Sequence, residues 1–101
     1  MDKINAAQCP YCKDVIFSRS RHDFHECSCK KTAIDGGKDY LRISFSDIKP
    51  KIFSIFIEFP FSKLFNDWNL REDKFGLIKL DYFLNDSANY SVDLSGNLHK
   101  L

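Results

Sequence analysis

Four cysteines fall in two close pairs near the start of the chain: Cys9 and Cys12 in Cys-Pro-Tyr-Cys, then Cys27 and Cys29 in Cys-Ser-Cys. The pattern C-x2-C-x14-C-x-C lets each pair sit on a turn, with enough chain between them for two short strands. Two such knuckles meeting over one ion are what a tetrahedral thiolate site requires. The expectation is a zinc ribbon, with Cys9, Cys12, Cys27 and Cys29 holding one structural Zn2+. Four-thiolate ligation also supplies folding energy that a short hairpin does not gather from apolar contacts. His22 and His25 lie close enough in sequence to stand as alternative ligands replacing one sulfur. Metal-free or redox-active thiols form the third reading.

At 101 residues the chain has room for one small domain, or one domain with a mini-module attached. A core is attainable at this length but not generous, so a metal staple near one end is physically useful. Hydrophobic residues at 44% and charged residues at 29% describe an ordinary globular composition. Ten phenylalanines favour a strand-rich core and leave open an aromatic surface patch. The net charge of +1 divides into +2 over residues 1–50 and −1 over residues 51–101, which is no polyelectrolyte signal for nucleic acid. The first seven residues are polar and carry no export-signal pattern, so a cytoplasmic chain with reduced thiols is expected. The longest apolar stretch, residues 52–61, is interrupted by Ser54, Glu58 and Pro60 and is too short to span a bilayer.

Along the chain, residues 1–8 read as a loose lead-in and residues 15–17 as a short strand. Residues 18–21 look like a hairpin turn, with residues 22–26 returning as the antiparallel partner. Residues 32–34 form a third strand, closed by the turn Asp35-Gly36-Gly37. Alternation over residues 39–45 places Leu41, Ile43 and Phe45 on one face. Residues 46–50 break that strand and mark the expected boundary between a zinc-ribbon module, 1–45, and a small β-rich module, 46–101. Residues 51–59 carry the clearest strand pattern, with Phe53, Ile55, Ile57 and Phe59 pointing one way. After Pro60, the spacing of Phe61, Leu64, Phe65 and Trp68 predicts a short helix. Strands are expected over 75–84, at Tyr90, Val92 and Leu94, and over 98–101, with turns at 85–89 and 95–97. The fold class that results is α+β, mostly antiparallel β with one short helix, built either as two modules or around one shared core.

Other constellations are weaker. Lys13, Arg19, Arg21, Lys30 and Lys31 surround the knuckles against Asp14, Asp23 and Glu26, which permits a modest phosphate contact or a merely solvated strand edge. His22, Asp23, His25 and Asp35 are the only candidates for a metal-dependent hydrolase, and no further ligand constellation lies downstream. No nucleophile motif or glycine-rich phosphate loop is present, so no catalytic residue is expected.

The strings Cys-Pro-Tyr-Cys, Ser-Arg-His-Asp-Phe, Cys-Ser-Cys and Ile-Asp-Gly-Gly-Lys-Asp-Tyr-Leu-Arg lie within residues 9–42. Together they resemble a family of small zinc-ribbon-like proteins of bacteriophages and bacterial mobile elements. The resemblance implies the four cysteines as metal ligands and His22, Asp23, Asp35, Gly36, Gly37, Asp39, Tyr40 and Arg42 as a shared surface or scaffold. It implies no activity.

The function expected is therefore a non-catalytic protein-binding module. Given the mobile-element resemblance, the partner would be a host enzyme or defence complex, making the protein an inhibitor of the anti-defence or anti-CRISPR type. Phe56, Phe61, Phe65 and Trp68 do not all fit one core face. They join Arg19, Arg21, His22, Asp23, Asp35, Asp39, Tyr40 and Arg42 as the expected partner-binding residues. A nucleic-acid-binding accessory protein using the ribbon is the second reading, and the metal-dependent hydrolase the third.

Overall fold

The computed structural model describes residues 2–85 and 87–101. Its ten elements run β1 (Asp2–Gln8), β2 (Val15–Ile16), β3 (His25–Glu26), β4 (Thr32–Asp35), β5 (Arg42–Phe45), β6 (Lys51–Ile57), α1 (Phe61–Asn69), β7 (Leu77–Ile78), β8 (Tyr90–Val92) and β9 (Leu98–Lys100). Six strands form one sheet in the order β7-β2-β1-β6-β8-β9, and β3-β4-β5 form a second. All pairings are antiparallel except β6 with β8, which run parallel through Phe56 to Ser91 and Ile57 to Val92. The protein is thus mostly antiparallel β with one short helix. Among the described residues no helix is long and apolar enough to cross a membrane.

The expected loose lead-in is corrected: β1 lies inside the larger sheet and pairs with β6 along seven residues, from Asp2 opposite Ile57 to Gln8 opposite Lys51. The reason lies in its two faces. Ile4 and Ala6 enter the main core, whereas Ala7 enters a second cluster on the other side. A strand buried on both faces by small side chains loses the in-out alternation that marks a half-buried strand. Gln8 is also buried, with all three hydrogen bonds internal. Its Nε2 donates to the carbonyls of Lys13 and Tyr82 at 2.9 Å, and its Oε1 accepts the Leu84 N–H at 2.9 Å.

The ribbon hairpin expected between 15–17 and 22–26 is likewise replaced. β2 pairs with β1 and β7, while β3 pairs with β4 in the other sheet. Val15 and Phe17 face the main core and Ile16 faces the second cluster, so β2 is held from both sides. The following turn is then tied down locally. The Ser18 hydroxyl lies 2.7 Å from the carbonyls of Ser20 and Asp23 and accepts the Gly37 N–H at 3.0 Å.

The main core joins Ile4, Ala6, Val15, Phe17, Ile55, Ile57, Phe59, Leu64, Phe75, Leu84, Tyr90 and Val92. It includes the Ile55, Ile57 and Phe59 face expected of β6, and Phe59 stacks on Phe75 at 4.8 Å between ring centroids. Helix α1 contributes Leu64 to this core with Phe61 packed against it, while Phe65 and Trp68 of the predicted apolar stripe lie outside it. The strand expected over 75–84 shortens to β7. Gly76 takes a positive φ of 105°, and the Tyr82 carbonyl and Leu84 N–H are satisfied by Gln8 rather than by a neighbouring strand. In the expected 85–89 turn, Asn85 Oδ1 accepts the Ser87 N–H, while Asp86 lies outside the described residues.

Candidate metal centre

Each cysteine pair sits on a tight backbone turn. In the first, the Lys13 N–H donates to the Cys9 carbonyl and the Cys9 N–H to the Asp14 carbonyl, both at 3.0 Å. In the second, the Lys30 N–H donates to the Cys27 carbonyl at 3.0 Å and the Cys27 N–H to the Thr32 carbonyl at 3.1 Å. Both turns close on a lysine in the left-handed region, Lys13 at φ 66° and Lys30 at φ 64°. The buried carboxylate of Asp14 joins the two turns by accepting the Ser28 N–H at 2.8 Å.

This framework gathers the Sγ atoms of Cys9, Cys12, Cys27 and Cys29 within 4.8 Å of one another. The Cys9–Cys29 separation is 3.6 Å and the Cys27–Cys29 separation 3.5 Å. A disulfide would bring sulfurs to about 2.05 Å, so these are free thiols. Four sulfurs about 2.3 Å from one ion lie about 3.8 Å apart at the corners of a tetrahedron. The cluster is therefore close to the size a bound metal needs, with four protein ligands and no position left for water or substrate.

The electrostatics fit the same use. Burial pushes the Cys9 thiol up, but the Thr32 side chain and the Cys12 and Tyr11 backbone N–H groups outweigh it and bring the thiol down to about 6. The Thr32 hydroxyl is the one buried side-chain polar atom without a hydrogen-bond partner among the described residues. It becomes a matched donor once Cys9 is a thiolate. Burial raises the thiols of Cys12, Cys27 and Cys29. Ligation of a metal by this set would need all four sulfurs as thiolates and would release protons on binding.

Neither alternative ligand joins the cluster. His22 is exposed and outside it. His25 is half-buried, and its Nδ1 lies 3.3 Å from Asp23 Oδ2. Among the described residues, the cysteines are the one group of potential ligands brought together. The proposed hydrolase residues are engaged elsewhere, Asp23 with Arg19 and Asp35 with Arg42.

The residues expected on a partner surface divide. Arg19, Asp23 and Asp35 are buried and are corrected to interior ion-pair groups. Arg19 Nε lies 2.8 Å from Asp23 Oδ2, and its Nη1 lies 2.8 Å from Asp67 and 3.1 Å from Asp73. Burial pushes the Asp23 and Asp67 carboxyls up. For Asp23 the His25 and Arg19 side chains more than reverse this; for Asp67 Arg19 and the Phe75 and Lys74 N–H groups do, so both end below the usual carboxylate range. This arginine ties the chain between the two knuckles to helix α1. A lone aspartate on a helix's inward face carries no sequence signal until its arginine is known.

Arg21, His22, Asp39, Phe61 and Phe65 do come together, along one groove of about 490 Å3 that also includes Lys38. Tyr40 stands beside it, donating to the Arg21 carbonyl at 3.4 Å, while Phe56 and Arg42 lie outside its lining. On α1, Phe61, Phe65 and Trp68 recur at helical spacing along one stripe; Phe65 is 48% exposed, with Trp68 5.8 Å away. The Asp35-Gly36-Gly37 turn acts by close approach. A Cβ on Gly37 would sit 2.7 Å from the Ser20 carbonyl carbon, and one on Gly36 would collide with the Tyr40 backbone.

The profile of a domain of unknown function, DUF7695, matches residues 3–45. That segment resembles a family of unknown function. It spans β1 to β5 and all four cysteines, so it includes the strand β1 that precedes the knuckles. No curated protein and no solved structure matches the chain.

Proposed function

We propose that the protein is a non-catalytic binding module in which one zinc ion on Cys9, Cys12, Cys27 and Cys29 holds the knuckles together and a protein partner docks on the aromatic stripe of α1. The observation that carries this reading is the four-sulfur cluster set apart from α1, where Phe65 stands exposed beside the half-buried Phe61 and Trp68. Zinc is the common occupant of a tetrahedral four-thiolate site. A closed site leaves the ion no open position for chemistry, so the work falls to the surfaces it braces. Aromatic side chains ringed by polar groups are what protein interfaces use as anchors. A host enzyme or defence complex is the partner class that the resemblance of residues 9–42 implies.

The test is affinity capture with wild-type protein and a Phe65→Ala/Trp68→Ala variant of equal metal content. A stoichiometric partner held by the first and lost by the second is expected. Equal capture by both would move the docking surface elsewhere, and no partner at all would count against the module.

Nucleic acid is the second reading, favoured by one feature. Seven cationic groups lie within 6 Å of an aromatic ring centroid among the described residues. Single strands bind to such surfaces by stacking and phosphate contact, with strong salt dependence. Binding of oligothymidylate that persists unchanged at high salt, or is absent at low salt, removes this reading.

A further inference from the structure

We propose that the groove between the 18–22 turn, the 36–40 turn and the start of α1 receives an acidic segment of a protein partner, one carboxylate lying between Arg21 and Lys38 while an adjoining apolar side chain packs on Phe61 and Phe65. The inference rests on the binding-module reading and adds the chemistry of what is bound.

The groove measures about 490 Å3, within the size range of binding pockets. Its walls are held in place. The backbone of Gly37 packs on that of Ser20 and Arg21, closer than any other residue allows, and the Gly37 N–H donates to Ser18 Oγ at 3.0 Å. Behind them Arg19 is fixed by Asp23, Asp67 and Asp73. A site whose walls are already ordered binds with less entropy lost.

The charges facing the groove do not cancel. Arg19 lines it but is matched internally by three carboxylates. Arg21 and Lys38 are exposed, and among the described residues no carboxylate lies within ion-pair distance of either. They rest instead over aromatic rings, Arg21 at 5.9 Å from Tyr40 and Lys38 at 4.9 Å from Phe61. Asp39 is the single uncompensated acid of the lining, so one positive charge is in excess. A cation beside a ring keeps its remaining N–H groups free for an anion, and such complementarity selects partners by charge.

A protein segment fits this composition better than a nucleic-acid strand. Two unpaired cations do not make a track along a phosphate backbone.

The experiment uses metal-loaded protein and the fluorescence of Trp68, the sole tryptophan, which lies 5.8 Å from Phe65. Three probes are titrated: an acetylated decapeptide of alternating glutamate and leucine, its lysine–leucine counterpart, and deca-thymidylate. The expected result is saturable binding of the acidic peptide alone, weakened about tenfold or more by Arg21→Glu with Lys38→Glu. Metal content and the melting curve check that this variant is folded. Equal binding of both peptides would show an apolar site indifferent to charge and would overturn the inference. So would preference for deca-thymidylate, or no binding of the acidic peptide at millimolar concentration. In each of those cases, loss of partner capture in Phe65→Ala/Trp68→Ala would leave the binding-module reading standing.

Discussion

The main core and the smaller cluster beside the knuckles are built by different means. The first gathers twelve buried side chains, most of them large and apolar, from β1, β2, β6, α1, the 75–84 segment and β8. The second has Ala7, Cys9, Ile16, Cys27 and Ile34, in which two isoleucines are the largest groups. At roughly 1.5–3 kcal/mol for each large side chain fully buried, the first is a self-sufficient core and the second is not. The difference teaches what the cysteines are for: they stand where apolar surface runs short.

The sharpest way to break this comparison is to remove the proposed zinc. A structural zinc contributes on the order of 10–16 kcal/mol in small metal-dependent folds. A chelator, or Cys27→Ser, is expected to release the β3-β4-β5 sheet while β1, β6 and β8 stay folded. Amide hydrogen exchange would show fast exchange at Ala33 and Ile34 and continued protection at Ile55 and Ile57. Uniform exchange across both sheets would mean a single cooperative unit.

Next in size is the charged tie between the regions. Arg19→Met leaves Asp23 and Asp67 buried without their cation, an expected loss of about 3–5 kcal/mol in urea unfolding. A loss below 1 kcal/mol would show that water reaches these carboxylates.

Paired truncations then compare the two clusters directly. Ile55→Ala should lower stability by about 2–5 kcal/mol with or without metal. Ile34→Ala should matter to global stability only while metal is bound, since its sheet is otherwise already released. Equal costs in the metal-free protein would erase the distinction.

Acid sensitivity is expected from the same tie. Asp23 and Asp67 are depressed in the folded protein, so they bind fewer protons there than in the unfolded chain. Their contribution is complete above the ordinary carboxylate value of about 4 and falls as pH drops below it toward their folded values. The acid limb of the stability curve should flatten in Arg19→Met, measured with metal content followed in parallel. The smallest effect belongs to Lys13→Gly, which relieves a left-handed residue and should raise stability by less than about 1 kcal/mol.

Local chemistry was the legible part. Cysteine spacing predicted the four-sulfur group, alternation over 51–59 predicted β6 and its inward face, and the spacing of Phe61, Leu64, Phe65 and Trp68 predicted α1. What failed to show were features whose partners lie far along the chain. β1 hides because alanines on two covered faces leave no period to read. Gln8, 74 residues from Tyr82 and 76 from Leu84, reads as an ordinary polar residue until those backbone groups arrive beside it. Asp67 reads as a solvated helix position until Arg19, 48 residues earlier, is folded against it.

From residue order alone came the four-cysteine cluster, the mostly β character and the short aromatic helix, because each depends on spacings of a few residues. The tertiary structure decided that β2 and β3 part into different sheets, that Arg19, Asp23 and Asp35 turn inward, and that Arg21 and Lys38 meet Phe61 and Phe65 across a groove. Those outcomes depend on which distant surfaces exclude water together and which charges must find partners once they do. No local pattern carries that information.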